Sequence, residues 1–239
     1  MVGVKRLAGD PLSRTALKYG ESVHRGGLTA RAAWICALTV LAGIATAANR
    51  FGWLGLSHLA ASPRAVAEGK LWLLLTSGVV ADRPWLPSLL GFAIVGFTAL
   101  SLARTSVVVV AALAGHVLAT LVVYGFLGVA DAIDHDAFAN ILDQPDIGLS
   151  AIIAAWIGVI SCMLWRRYRS RRAHLLNVLG CVGCALIGFA FRPDVTALDS
   201  EHIVAFALGV AVAAWWPEPA EPLGPDDLDR ELEQLLTPA

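Results

Sequence analysis

The sequence predicts an all-α fold of the polytopic membrane class, a bundle of six transmembrane helices. Three observations lead there. Hydrophobic residues make up 57% of the 239 positions and charged residues only 15%, with a mean hydropathy of +0.67, outside the range of ordinary soluble domains. Six apolar runs each reach the roughly 17 to 25 residues that a helix needs to cross the hydrocarbon core. The breaks between them collect Arg, Asp and Pro, which hydrocarbon tolerates poorly. The lipid bilayer is therefore the expected partner, nucleic acid is not, and the net charge of −1 carries little meaning as a sum.

The runs lie near Ala32–Ala48, Pro84–Ala103, Ser106–Gly128, Ile147–Trp165, Ala173–Phe191 and Asp199–Trp216. They divide the chain into a basic N-terminal segment (1–31), a membrane domain (32–216) and an acidic, Pro-rich tail (217–239). No cleavable signal is expected, because the first thirty residues are polar and basic without a short apolar core. Between the first two runs, Arg50 to Arg83 contains GKLWLLLTSGVV, too short to cross and read as an embedded or interfacial loop.

Basic residues set the expected orientation. With the N-terminus inside, thirteen Lys and Arg fall on inner segments, including Arg104 and the run Arg166, Arg167, Arg169, Arg171 and Arg172; five fall outside, namely Arg50, Arg64, Lys70, Arg83 and Arg192. The positive-inside rule then places both termini in the cytoplasm of a plasma-membrane protein. The connection from Asp131 to Asp146 carries five aspartates and no Lys or Arg, in agreement with an outer location.

In the tail, WWPEPAEPLGP ends the last run, and Leu228, Leu232, Leu235 and Leu236 form a short amphipathic stripe with an acidic face. It reads as a solvated tail, with a hook for a cytoplasmic partner as the other reading. Cys181 and Cys184 form a CxxC within an apolar run. A metal or redox site there lacks further ligands, so helix packing is the reading, and neither metal nor cofactor is expected.

Polar groups inside the runs call for a function, since hydrocarbon offers them no water. Ser150 is the fourth residue of the fourth run and His202 the fourth of the sixth, and both enter from the same side. A serine needs a base to become nucleophilic, and imidazole, with an ordinary pKa of about 6.5, suits that part. Gly148 lets a substrate backbone come close, with Leu149 beside it, and amides at the helix start point to a developing oxyanion. Taken singly, each residue has a simpler use: a serine bonded one turn back, a histidine in the interface. His116 lies about 15 Å into the third run, with Thr120 one turn on along the same face. It reads as a neutral histidine locking helices or as a donor in the site. Glu201 and Asp146 stand at helix starts, where acids favour the dipole.

At these residues the chain resembles the rhomboid intramembrane serine proteases and their non-proteolytic relatives. That family has six spans, a GxSG motif opening the fourth with a glycine eight residues on, and HxxGxxxG in the sixth. Here the first reads Gly148-Leu149-Ser150-Ala151 with Gly158, and the second reads His202, Ala205 and Gly209. Trp72 to Ser77 is similar to the family's WRxLTS loop segment without its arginine. The resemblance covers roughly Ala32 to Trp216. It implies a Ser150–His202 dyad that cleaves membrane-protein substrates, with Gly148, Leu149, His116 and Thr120 around the oxyanion or substrate, and Ala151, Gly158, Ala205 and Gly209 packing helices nearby.

The departures are specific. Leu86 to Phe97 has neither the His nor the Asn of the family's HxxxN, Ala154 stands where an aromatic packs on the histidine, and Ala151 and Ala205 replace glycines. Loss of an oxyanion donor costs ~10² to 10³ in rate. The resemblance thus implies either an intramembrane serine protease or a weak or inactive relative that binds membrane clients or a cytoplasmic partner.

Overall fold

A computed structural model describes residues 11–81, 84–168, 170–190 and 197–216. Every regular element among them is helical, apart from one isolated antiparallel bridge between Ala61 and Asp146. Helix α1 (Pro11–Arg50) runs unbroken through the first predicted span. It is followed by a 3-10 turn (Leu56–His58), α2 (Pro63–Ala67), α3 (Leu73–Thr76) and a second 3-10 turn (Ser77–Val79). Then come α4 (Trp85–Leu102), α5 (Thr105–Leu113), a π-helical turn (Ala114–Leu118), α6 (Ala119–Ile133) and α7 (His135–Leu142). Helices α8 (Leu149–Arg167), α9 (Arg171–Ala190) and α10 (Ser200–Trp215) complete the order, with a 3-10 turn (Ala197–Asp199) leading into α10.

Four stretches among the described residues are long and apolar enough to cross a membrane: Ala30–Arg50, Trp85–Leu102, Thr105–Ile133 and Leu149–Arg167. They coincide with the first four predicted runs to within a few residues, except that the third extends to Ile133. The last, Ser200–Trp215, is apolar but shorter. The predicted tail helix with Leu228, Leu232, Leu235 and Leu236 lies outside the described residues, as do Arg83, Arg169, Phe191 and Arg192.

The segment between α1 and α4 is a folded loop. Gly52 takes φ +74° just after α1 and Gly69 φ +89° after α2, the left-handed region where glycine ends a helix without a Cβ penalty. Ser62 caps α2 by accepting from the amide of Ala65 at 3.2 Å, with Pro63 in the first helical position. Leu73 and Leu74 turn inward while Leu71, Trp72 and Leu75 stay exposed, the division expected of an interfacial segment. Thr76 ties this loop to the Leu59 carbonyl at 3.1 Å, and the amide of Ala81 donates to Thr46 of α1 at 2.9 Å.

The core lies around α4, α5 and α8. Trp156 packs on Phe92 with ring centroids 4.8 Å apart and planes tilted by 42°, and donates its indole N–H to the Val108 carbonyl at 2.9 Å. Gly96 makes room for it, since a Cβ there would stand 2.7 Å from the indole. Exposed Ile94, Leu113, Phe126, Val129 and Ile203 face outward, as lipid-facing side chains do when hydrocarbon is the solvent.

Candidate functional site

Helices α8 and α10 form a seam in which small residues bring backbone to backbone. A Cβ on Gly209 would fall on the Ala155 carbonyl, and one on Gly158 would fall on the Phe206 carbonyl and stand 3.0 Å from the Val210 amide. Ala151, Ala155 and Ala205 are buried together along the contact. Without a hydrophobic drive between helices in lipid, such close approach supplies the attraction by dispersion. Arg166, near the end of α8, donates to the Ala213 carbonyl near the end of α10 at 3.0 Å. The two helices are therefore parallel, and their first turns share one end of the seam.

That end holds Ser150 and His202. The crossing centres on Ala155 to Gly158 of α8 and Phe206 to Val210 of α10, and about six residues back, roughly 9 Å along each axis, lie Ser150 and His202. Both are partly buried. His202 places Nδ1 3.0 Å from the carbonyl of Asp199. A carbonyl only accepts, so in the neutral ring the proton sits on Nδ1 and Nε2 is left as the basic nitrogen. No hydrogen bond joins Ser150 to His202 among the described residues.

A second histidine occupies a built pocket close by. His116 stands in the π-helical turn between α5 and α6, a local widening that recurs at functional positions. Its ring lies in a slot between two glycines from distant parts of the chain. A Cβ on Gly148 would fall on the ring, and one on Gly78 would stand 2.7 Å from Cδ2. Nε2 lies 3.2 Å from the Ser77 hydroxyl. Nδ1 lies 3.8 Å from Glu201 Oε1, too long for a hydrogen bond, and has no hydrogen-bond partner. His116, Thr120 and Glu201 are all buried.

Thr120 links this ring to α10. Its hydroxyl is 2.5 Å from both the His116 carbonyl one turn back and Glu201 Oε1, so the His116 and Thr120 side chains both approach Glu201. One turn further, Tyr124 donates to Asp146 at 3.0 Å. The strand-like approach to α8 is held by reciprocal backbone bonds between Asp146 and Ala61, at 2.7 and 3.0 Å, and by the Gly148 amide donating to the Ser77 carbonyl at 2.9 Å. These bonds bring Gly148 down onto the imidazole. His116 therefore sits beside the start of α8, not well below it as its place in the third run implies, and Leu149 is buried in the main core next to it.

The structure thus brings His116, Thr120 and Gly148 together as one cluster, and brings Ser150 and His202 to one end of one seam. It adds Ser77, named from the sequence only as part of the Trp72 to Ser77 loop segment, Asp146 and Glu201, left to helix-dipole duty, and Tyr124, which the sequence did not single out. An acid one residue before an intramembrane histidine was the signal available for Glu201; nothing local announced Tyr124. Cys181 faces Asn177 Oδ1 at 3.9 Å. Among the described residues no three His, Cys, Asp or Glu side chains converge as a metal site. Comparison with known proteins yields no matching family model, no matching curated protein and no matching solved structure.

Proposed function

We propose that this chain is a rhomboid-like intramembrane serine protease of the plasma membrane, built on six spans with α9 and α10 as the fifth and sixth. The observation that carries the reading is the parallel α8–α10 seam with the His202 tautomer at its head. Helices that touch backbone to backbone through Gly158 and Gly209 hold Ser150 and His202 at one level, and the Asp199 carbonyl leaves His202 Nε2 as the base. Ser150 Oγ attacks the scissile carbonyl, its proton passes to Nε2, and Nε2 then protonates the leaving amine. The first amides of α8, which lack a side-chain cap, face the oxyanion. Both termini lie in the cytoplasm, so the Asp131 to Asp146 connection and the serine lie toward the outer leaflet.

Cleavage of a panel of single-span membrane substrates in liposomes tests this reading. Wild type is expected to cleave at least one of them, and Ser150→Ala and His202→Ala to abolish that cleavage while leaving thermal stability unchanged. Equal cleavage by wild type and Ser150→Ala overturns it. Orientation is checked separately: an impermeant thiol reagent applied from outside is expected to reach a cysteine at Asp136 and not one at Ser170, and the reverse pattern inverts the topology.

The missing Ser150–His202 hydrogen bond favours a second reading, a non-proteolytic rhomboid-like protein that binds membrane clients, or a cytoplasmic partner through its acidic tail. Under it, no substrate in the panel is cut by either protein, and client capture is the same in wild type and Ser150→Ala.

A further inference from the structure

We infer that Ser77, His116 and Glu201 form a second nucleophile, base and acid array, able to accept an acyl group from an ester or amide carbonyl within the membrane. This site does not rest on the Ser150–His202 reading. Its three side chains stand in the order that acyl transfer requires: hydroxyl to Nε2 at 3.2 Å, and Nδ1 to carboxylate at 3.8 Å. The second distance is looser than a hydrogen bond, and catalytic bonds commonly tighten only when substrate is present. Nδ1 is a buried ring nitrogen with no hydrogen-bond partner, an arrangement that costs free energy unless something uses it. Glu201 Oε1, 3.8 Å away, is the carboxyl oxygen that faces it.

The surroundings are arranged for the same chemistry. Gly78 and Gly148 hold the imidazole in a slot with no room for a Cβ on either side, which fixes the ring plane relative to Ser77. The Thr120 hydroxyl lies 2.5 Å from Glu201 Oε1 and holds that side chain toward the histidine. The Gly148 amide is tied to the Ser77 carbonyl, so the uncapped start of α8 lies against the nucleophile's own turn, and its free amides are donors for an oxyanion.

The reaction balances with water as the co-reactant. Ser77 Oγ bonds to the acyl carbon and its proton moves to His116 Nε2. The bond from that carbon to the leaving oxygen or nitrogen breaks, and the leaving group takes the proton from Nε2. Water then gives a proton to Nε2, its oxygen bonds to the acyl carbon, and the Ser77 ester breaks with the proton returned. Ser77 is only 1% exposed, so the array is closed in this state. Entry needs a local opening, and the turn just before Ser77 carries the exposed side chains Trp72 and Leu75.

An alkyl fluorophosphonate probe distinguishes the two serines. The full-length protein in detergent is treated with the probe, digested, and the modified serine located by mass spectrometry. The expected result is an adduct on Ser77 that persists in Ser150→Ala, is absent in Ser77→Ala, and forms at least ~10²-fold more slowly in His116→Gln and Glu201→Gln. Thermal melting of each variant shows whether it is folded, and the wild-type map stands even if a variant is not. An adduct on Ser150 alone overturns this inference and supports the other dyad. No adduct on either serine after prolonged incubation overturns it too, while the substrate panel still judges the Ser150 reading. An undiminished rate in a folded Glu201→Gln removes the acid from the array.

Discussion

The seam between α8 and α10 joins those two helices directly, whereas the polar cluster at its head ties α10, the approach to α8 and the Ser77 turn to the span that carries His116, Thr120 and Tyr124. Along the seam there is almost nothing: Ala151, Ala155 and Ala205 contribute only methyl groups, and at Gly158 and Gly209 the main chains are so close that even a methyl does not fit. At the head, side chains do the holding, with Thr120 reaching Glu201, Ser77 meeting His116 and Tyr124 meeting Asp146. The first means is insensitive to chemistry and intolerant of volume. The second tolerates a little volume and is sensitive to each donor and acceptor, because a polar group stranded in a low-dielectric interior loses its full solvation. A membrane protein needs both: small residues give helices adhesion, and polar groups give that adhesion a register.

Volume is the severest test of the difference. Gly209→Val drives a branched side chain into the Ala155 backbone, and a loss of roughly 3 kcal/mol or more is expected, seen as a large fall in melting temperature in detergent. A melting temperature equal to wild type would mean that the seam opens freely. Gly148→Ala displaces the His116 ring without touching the seam, and about 2 kcal/mol is expected. The loss should largely disappear in the double variant with His116→Ala, because the methyl then has space; two losses that simply add would show that the slot is not what Gly148 serves.

Chemistry without volume is the next step down. Tyr124→Phe removes one hydroxyl and leaves Asp146 short of a donor, for which about 1 kcal/mol is expected by thermal or denaturant unfolding. Between the candidate spans, Arg64 donates to Asp143 at 2.6 Å with both side chains well exposed, and that carboxylate raises the guanidinium pKa. Solvent screens such a pair, so Arg64→Gln is expected to leave the melting temperature unchanged. A measurable drop there would place the loop under more tension than its hydrogen bonds imply.

Four spans could be read from the sequence because hydrocarbon imposes a length and a composition that any window can register; Trp85–Leu102 and Leu149–Arg167 differ from expectation by one or two residues at each end. Close approach of the fourth and sixth spans was also expected, from the small residues Gly148, Ala151, Ala205 and Gly209, while Gly158 was marked only by the resemblance. The intramembrane polar residues Ser150, His202, His116 and Thr120 could likewise be listed, because each is costly where it stands.

Only the tertiary structure decided which of them meet. Ser77 and His116 are 39 residues apart, Thr120 and Glu201 81, and no local pattern encodes either pairing. A one-residue widening of the helix at Ala114–Leu118 sets where the imidazole points, and two glycines from separate segments then close on it. The sequence determined which groups had to be satisfied inside the membrane, because burial cost depends on residue type. Their partners were left to the packing of helices, which fixes direction and distance through contacts between parts of the chain that a sequence reads far apart.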